Sequence, residues 1–211
     1  MDLWAFEREA RKRGHRIVAG IDEAGRGPLA GPVVAAAVVL PFECDTEGIR
    51  DSKQLSPDRR EAAFQRILHM ALGIGVGLVE ESEIDRINIL QATYRAMRAA
   101  VCGLSARPHL CLVDGYPIRE FHLAQEGIID GDCKSVSIAA ASIVAKVTRD
   151  RIMRLYDGQF PQYGFARHKG YPTPEHLEML AIHGACEIHR RSFGPVAQLR
   201  LTLGNEGMVD G

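Results

Sequence analysis

The sequence predicts an α/β protein in which a mixed β-sheet is flanked by helices. Three observations carry that prediction. Short apolar runs, rich in Val and Ile or alternating with Gly, lie at 16–21, 32–40 and 73–80. After residue 82, apolar side chains recur three and four positions apart. Beyond residue 109, short apolar runs alternate with helical segments, as in a layered α/β domain.

Residues 1–14 read as a short charged helix ending at Gly14, and Arg16 to Ile21 as the first strand. Pro32 to Leu40 (PVVAAAVVL) form a second strand, which Pro41 stops. Ser56-Pro57 has the form of an N-cap followed by Pro at the first helical position, giving a helix over about 57–72. Gly73 to Glu80 (GIGVGLVE) read as a third strand. Short connections among the three suggest an antiparallel meander.

Ser82 can cap the next helix, with Asp85 three residues on. Ile84, Ile87, Leu90, Tyr94, Met97, Val101 and Leu104 define its apolar face up to Gly103. His109 to Val113 form a short buried strand, and a weaker one covers Gly127 to Ile129. A long helix runs from Ser135 to about Tyr156. Thr173-Pro174-Glu175 opens another, which Gly184 ends. The 211 residues are expected to form a single domain, with a C-terminal helical part from about residue 158.

With 46% hydrophobic and 25% charged residues, the chain is ordinary for a globular protein and unlike a disordered one. Its formal net charge of −1 means that any nucleic-acid partner must be held by a local patch. Cys44, Cys102, Cys111, Cys133 and Cys186 form no C-x-x-C pair, which fits thiols in a reducing compartment. The N-terminus lacks a secretory h-region, and no apolar run reaches the roughly 18 residues of a membrane span. A cytoplasmic monomer without membrane attachment is expected.

Four acids stand where acids are costly. Asp22 and Glu23 follow Ile17-Val18-Ala19-Gly20-Ile21, Asp114 follows Leu110-Cys111-Leu112-Val113, and Asp132 follows Ile128-Ile129-Asp130-Gly131. Open α/β sheets bind ligands at the carboxyl ends of their strands. Carboxylates gathered in one cleft repel one another unless a cation balances them. All-oxygen ligands favour Mg²⁺ or Mn²⁺ over zinc. Such a site can hold two ions about 4 Å apart that clamp the attacking and leaving oxygens of a phosphodiester. Taken singly, Asp114 and Asp132 also suit a turn residue and a helix cap. Adjacent strand residues face opposite sides, so Asp22 and Glu23 share a site only if the strand bends, as Ala24-Gly25 permits.

Gly25-Arg26-Gly27-Pro28-Leu29-Ala30-Gly31-Pro32 is dense in Gly and Pro but lacks the Gly-Lys-Ser/Thr of a P-loop. The run Ile21 to Pro32 resembles the first motif of the ribonuclease HII family. Asp51-Ser52-Lys53-Gln54-Leu55 resembles its D-S-K-x-L, and Val113-Asp114-Gly115 its third element. Gly131-Asp132-Cys133-Lys134-Ser135 with Ser137 to Asp150 resembles the fourth, and Tyr163 to Tyr171 the fifth.

The resemblance implies an RNase H-like fold with a mixed five-stranded sheet and a small C-terminal helical part. It implies endonucleolytic cleavage of RNA in RNA–DNA hybrids and nicking at ribonucleotides embedded in duplex DNA, leaving 5′-phosphate and 3′-hydroxyl ends. By the family pattern Asp22, Glu23, Asp114 and Asp132 are catalytic and carry two divalent metal ions, Mn²⁺ or Mg²⁺. Gly25, Arg26 and Gly27 would contact the ribose 2′-hydroxyl through their backbone, and Tyr171 would stack on the following deoxyribose. A 2′-hydroxyl is donor and acceptor at once, and sites built to pair such a group discriminate strongly.

Between Lys134 and Thr173 seven Lys and Arg face two acids, a local excess of positive charge. Lys134, Lys146 and Lys53 are candidate phosphate contacts, and Ser142 shares a helix face with Lys146. Arg149, Arg151 and Arg154 read as a solvated helix surface, and Arg190-Arg191 likewise. No H-E-x-x-H is present, and His168, His176 and His183 read as ordinary surface, core or helix residues. Two rival readings are a DNA-strand nuclease of the resolvase or integrase kind and a catalytically silent nucleic-acid-binding module. The Gly-Arg-Gly turn with Tyr171 argues against the first, and the full set of four acids against the second.

Overall fold

The computed structural model describes residues 2–50, 52 and 55–205, with side chains to 199. Lys53 therefore lies outside the described residues. Five strands form one sheet: β1 (Val18–Ala24), β2 (Val33–Val39), β3 (Gly73–Val79), β4 (Leu110–Asp114) and β5 (Gln125–Ile128). Their order across the sheet is β3-β2-β1-β4-β5. β1, β2 and β3 pair antiparallel, the expected meander, whereas β4 and β5 run parallel to β1.

Among the described residues eight α-helices accompany the sheet: α1 (Ala5–Lys12), α2 (Pro57–Met70), α3 (Glu81–Ile87), α4 (Ile89–Cys102), α5 (Val136–Gln159), α6 (Phe165–His168), α7 (Pro174–His183) and α8 (Gly194–Asn205). None is long and apolar enough to cross a membrane among the described residues. β2 is buried along its whole length, so it reads as an uninterrupted apolar run. Its Ala35 and Ala37 join α4 in one core layer, while Ala36 and Val38 join α2 and α5 in the other. The small side chains let helices approach both faces. The glycines of β3 serve the same end, since a Cβ on Gly75 or Gly77 would fall about 2 Å from a carbonyl oxygen of α4. α5 lies over β1 and β2 with Ile138 and Ile143 fully buried, each contributing about 2 kcal/mol.

Two expectations change. The periodic stretch after Ser82 is two helices, not one. Asn88 adopts φ 68°, ends α3, and caps α4 by accepting hydrogen bonds from the Leu90 and Gln91 amides. With ψ 161° this is a backbone that glycine favours, held here by the two cap bonds, and the apolar spacing runs across the break unmarked. The first strand does not stop at Ile21 but continues to Ala24, so both acids lie within it. The N-cap at Ser56 holds, and Ser135 and Thr173, where helices are expected to begin, are N-caps too, each accepting from an amide of the first turn. The α5 N-terminus is also met by Glu7 of α1, which accepts from the Ser135 hydroxyl and the Ser137 amide. Among the described residues no two cysteines form a disulfide.

Candidate active site

β1 and β4 run side by side only as far as Ile21 and Val113. β4 ends one residue later at Asp114, while β1 continues against β2 alone through Asp22, Glu23 and Ala24. Asp22 and Glu23 thus project where no neighbouring strand separates the two faces of the sheet. Asp22 takes the α5 side, where the Ser142 hydroxyl hydrogen-bonds its carboxylate. Glu23 takes the other side, above a hollow lined by Leu90, Thr93, Tyr94 and Met97 of α4. Both also open into one cleft of about 230 Å³ beyond the end of β4. The end of β4, rather than a bend at Ala24-Gly25, resolves the problem of two successive residues serving one site.

Of the residues singled out in the sequence, Asp22, Glu23, Asp114, Gly25, Arg26, Gly27, Ser142, Lys146 and Tyr171 line this cleft together, joined by Ser52. Ser52 lies 2.8 Å from Ser142, completing a short polar chain to Asp22. Asp132 is buried in the turn Gly131–Cys133 after β5, outside the cleft wall. Its neighbour Gly131 donates its amide to Asp114 at 2.7 Å, tying that turn to the cleft. Lys134 sits in the same region, its ammonium on the Ile129 carbonyl at 2.7 Å and away from the cleft lining. Lys146 pairs with Asp150 at 2.8 Å and lies 6.0 Å above the Tyr171 ring.

The electrostatics are dominated by the burial of neighbouring carboxylates. Burial first, then the Glu23 and Asp114 carboxylates, push the Asp22 carboxyl well above the usual carboxylate range, against the Glu23 amide and Ser142. Burial also raises Glu23, opposed by Arg26, whose guanidinium lies 3.1 Å away. One Glu23 oxygen, Oε2, is buried with no hydrogen-bond partner. Among the described residues no three His, Cys, Asp or Glu side chains form a ready cage for an ion. The donor set is nevertheless the one a hard divalent cation accepts. A buried carboxylate oxygen without a partner is costly, and a cation would satisfy it.

The Gly-rich turn is fixed by two residues that the sequence reading placed in solvent. Arg149 and Arg190 are 1% and 0% exposed, whereas Arg151, Arg154 and Arg191 are exposed as expected. Arg149 donates to the carbonyls of Ala30, Pro32 and Lys169. Arg190 donates to those of Gly25, Arg26 and Gly31. Burial lowers both, to about 10 and about 9, so both stay charged at neutral pH. Gly25 has φ 97°, and a Cβ there would lie 2.1 Å from Arg149 Nε. The turn is further stitched to the segment before and after α7: the Leu29 amide donates to Gly170, and Arg190 N to the Leu29 carbonyl.

Tyr171 stands on a scaffold of buried histidines. The Cys186 amide donates to His189 Nδ1, His189 Nε2 meets His176 Nε2 at 3.1 Å, and His176 Nδ1 reaches the Tyr171 carbonyl at 2.9 Å. His168 accepts from the Gly170 amide and bonds the Tyr163 carbonyl. These are satisfied core residues, as read for His168. Burial lowers His176 and takes His189 down to about 4, so both are neutral at neutral pH.

The comparisons with known proteins agree with this geometry. A model of the ribonuclease HII family matches residues 19–196. The ribonuclease HII of Acetivibrio thermocellus is 53% identical over 193 residues, covering 92% of this chain and 75% of that protein. That of Syntrophus aciditrophicus is 57% identical over 188 residues and covers 89% of each. The crystal structure of ribonuclease H2 from Pyrococcus horikoshii superposes with a TM-score of 0.76 at 29% identity, over 89% of this chain and 99% of that one. With a family model matching most of its length and relatives more than 50% identical, the chain is a nuclease and belongs to the ribonuclease HII family.

Proposed function

We propose that this ribonuclease, which by family cleaves RNA endonucleolytically in RNA–DNA hybrids, also nicks duplex DNA at single embedded ribonucleotides. The observation that carries the proposal is the sharing of one cleft by three carboxylates, the Gly25–Gly27 turn and Tyr171. Chemistry and sugar recognition are thereby adjacent. A Cβ on Gly27 would stand 3.7 Å from the Tyr171 ring, so the turn and the ring are immediate neighbours on the cleft wall, where a sugar and its successor can each meet one of them.

In this reading Asp22, Glu23, Asp114 and Asp132 hold two divalent ions, Mg²⁺ or Mn²⁺. When bound, such ions supply activation of the attacking water and neutralisation of charge at the leaving 3′-oxygen. Mg²⁺ is commonly bound by one or two carboxylates, retained waters and substrate phosphates, so no complete protein cage is required. The carboxylates fix where the phosphodiester lies. Ser142 and the Glu23 amide hold Asp22 in orientation. The P–O3′ bond breaks as the P–O(water) bond forms. The water proton is released and the 3′-oxygen is protonated, leaving 5′-phosphate and 3′-hydroxyl ends. The backbone of Gly25, Arg26 and Gly27 meets the 2′-hydroxyl, and Tyr171 packs on the next deoxyribose. Lys146, Lys134 and Lys53 contact phosphates, which sets register and affinity rather than sequence preference. The protein acts as a monomer.

The test compares cleavage of a long hybrid, a duplex with one ribonucleotide and an all-DNA duplex in Mg²⁺ or Mn²⁺. The single-ribonucleotide duplex is nicked on the 5′ side of the ribonucleotide or at its junction, and the all-DNA duplex stays intact. Equal cleavage of all-DNA would return the resolvase-like reading. Normal activity in folded Asp22→Asn or Asp114→Asn would remove that residue from the metal site.

A further inference from the structure

We propose that Arg149 and Arg190 are positioning residues for sugar selection, aiming the backbone amides of the Gly25–Gly27 turn into the cleft from behind. The inference rests on the reading of that turn as the contact to the 2′-hydroxyl.

Burying a guanidinium costs several kcal/mol unless its donors are satisfied. Among the described residues neither arginine has a carboxylate within ion-pair distance. Their charges are met instead by seven hydrogen bonds to backbone carbonyls. Five of the six carbonyls belong to residues 25–32 and the sixth to Lys169, two residues before Tyr171. Both arginines are therefore spent on the two segments that form the sugar-facing walls.

The direction of each bond matters. A trans peptide is planar, so its C=O and N–H point opposite ways. Arg190 captures the Gly25 and Arg26 carbonyls at 2.6 and 3.0 Å. The amides of the same two peptide units, those of Arg26 and Gly27, are thereby turned away from Arg190. Gly25, Arg26 and Gly27 all line the cleft, and Arg190 is fully buried behind them. Two successive N–H groups thus face the position of an incoming sugar. Arg149 adds the spacing: it spans from the Ala30 and Pro32 carbonyls to that of Lys169, setting the turn against Tyr171. A lysine carries the charge without the planar fork and cannot reproduce several carbonyl contacts at once.

The experiment measures binding of labelled duplexes by fluorescence anisotropy in Ca²⁺, with one ribonucleotide or none, for wild type, Arg149→Lys, Arg190→Lys and the exposed control Arg154→Lys. Single-turnover nicking in Mg²⁺ is read in parallel. In folded Arg149→Lys and Arg190→Lys the preference for the ribonucleotide duplex falls by about 10- to 100-fold. Affinity for the all-DNA duplex stays within about twofold, because phosphate contacts are untouched. Arg154→Lys keeps the wild-type preference. A role in stability alone would lower the melting temperature and leave the preference unchanged, and that result overturns the proposal. If the lysine variants do not fold, amide chemical shifts of the wild type decide. The Arg26 and Gly27 amides should move with the ribonucleotide duplex and not with the all-DNA duplex, and equal movement refutes the proposal. A wild type that shows no preference for the ribonucleotide would instead sink the sugar-selective reading beneath it.

Discussion

Gly20 is the point at which a small change should reach the active site through the core. It sits in the middle of β1, and an added Cβ would fall 2.0 Å from the Ser137 carbonyl carbon, 2.2 Å from its oxygen and 2.3 Å from the Ile138 nitrogen. All three atoms are backbone at the start of α5, so no side chain can swing aside. Ordinary contact begins near 3.4 Å, so in Gly20→Ala the helix and strand must part by more than 1 Å. A gap of that size forfeits a quarter to a half of each contact's dispersion energy along the interface. Overpacking typically costs about 1–3 kcal/mol, and a backbone-on-backbone clash belongs at the top of that range. For a chain of this size about 3 kcal/mol is a fall in Tm of roughly 6–12 °C. The same movement carries Ser142, also on α5, away from Asp22. Misplacement by about 1 Å costs on the order of a hundredfold in rate. Urea unfolding measures the first effect and single-turnover nicking of a one-ribonucleotide duplex the second. A Gly20→Ala protein within about 0.5 kcal/mol of wild type and equally active would refute the account of how α5 seats on β1.

Three further outcomes follow from the electrostatics and caps. Because the folded protein holds the Asp22 proton more tightly than the unfolded chain, metal-free stability should fall as pH rises from the ordinary carboxylate range through the raised value. Asp22→Asn should flatten that fall in urea titrations with chelator and reduce the thermal shift given by Mg²⁺, which at a hundred times Kd is worth about 2.7 kcal/mol for the wild type. His189, lowered to about 4, shows the opposite sign: its contribution is present at neutral pH and is lost as pH falls from about 6.5 toward about 4. His189→Gln should therefore be less acid-sensitive than wild type over that interval. Asn88→Ala should cost about 1 kcal/mol by removing the α4 cap, whereas Asn88→Gly, which also takes the Cβ away from φ 68°, should cost only a few tenths, as read by chemical denaturation.

Local signals were legible where a local cause decides the structure. Ser56-Pro57, Ser135 and Thr173 announce helix starts because the cap is made by a side chain to its own turn. The apolar run of β2 announces a central strand because both its faces are covered. The end of β1 was read short because two acids look like a strand terminus, yet pairing with β2 on one side is enough to keep Asp22 and Glu23 extended. The break at Asn88 leaves the periodicity of apolar residues intact, so hydrophobic spacing cannot report it. Arg149 and Arg190 escape a reading by charge, because charge alone indicates solvent. The available signal was on the other side of the contact. A turn with three glycines and two prolines between residues 25 and 32 cannot pair its own carbonyls, and buried carbonyls need donors from somewhere.

The cleft therefore combines two opposite electrostatic conditions within one loop's length. In front of the turn, Asp22, Glu23 and Asp114 gather carboxylates, and although Arg26 meets one oxygen of Glu23, its Oε2 is buried and unpaired. Behind it, two buried guanidiniums donate to backbone carbonyls, and among the described residues no carboxylate lies within ion-pair distance of them, although Glu81 is near both. Were an acid placed behind the turn to pair with Arg190, it would compete with the Gly25 and Arg26 carbonyls for the guanidinium. The amides of Arg26 and Gly27 would then lose the constraint that turns them forward. Meeting the arginines with backbone keeps the donors of the turn fixed in direction. On the proposed reading, a divalent cation held by the carboxylates would then draw the phosphate to the edge where the turn meets the sugar.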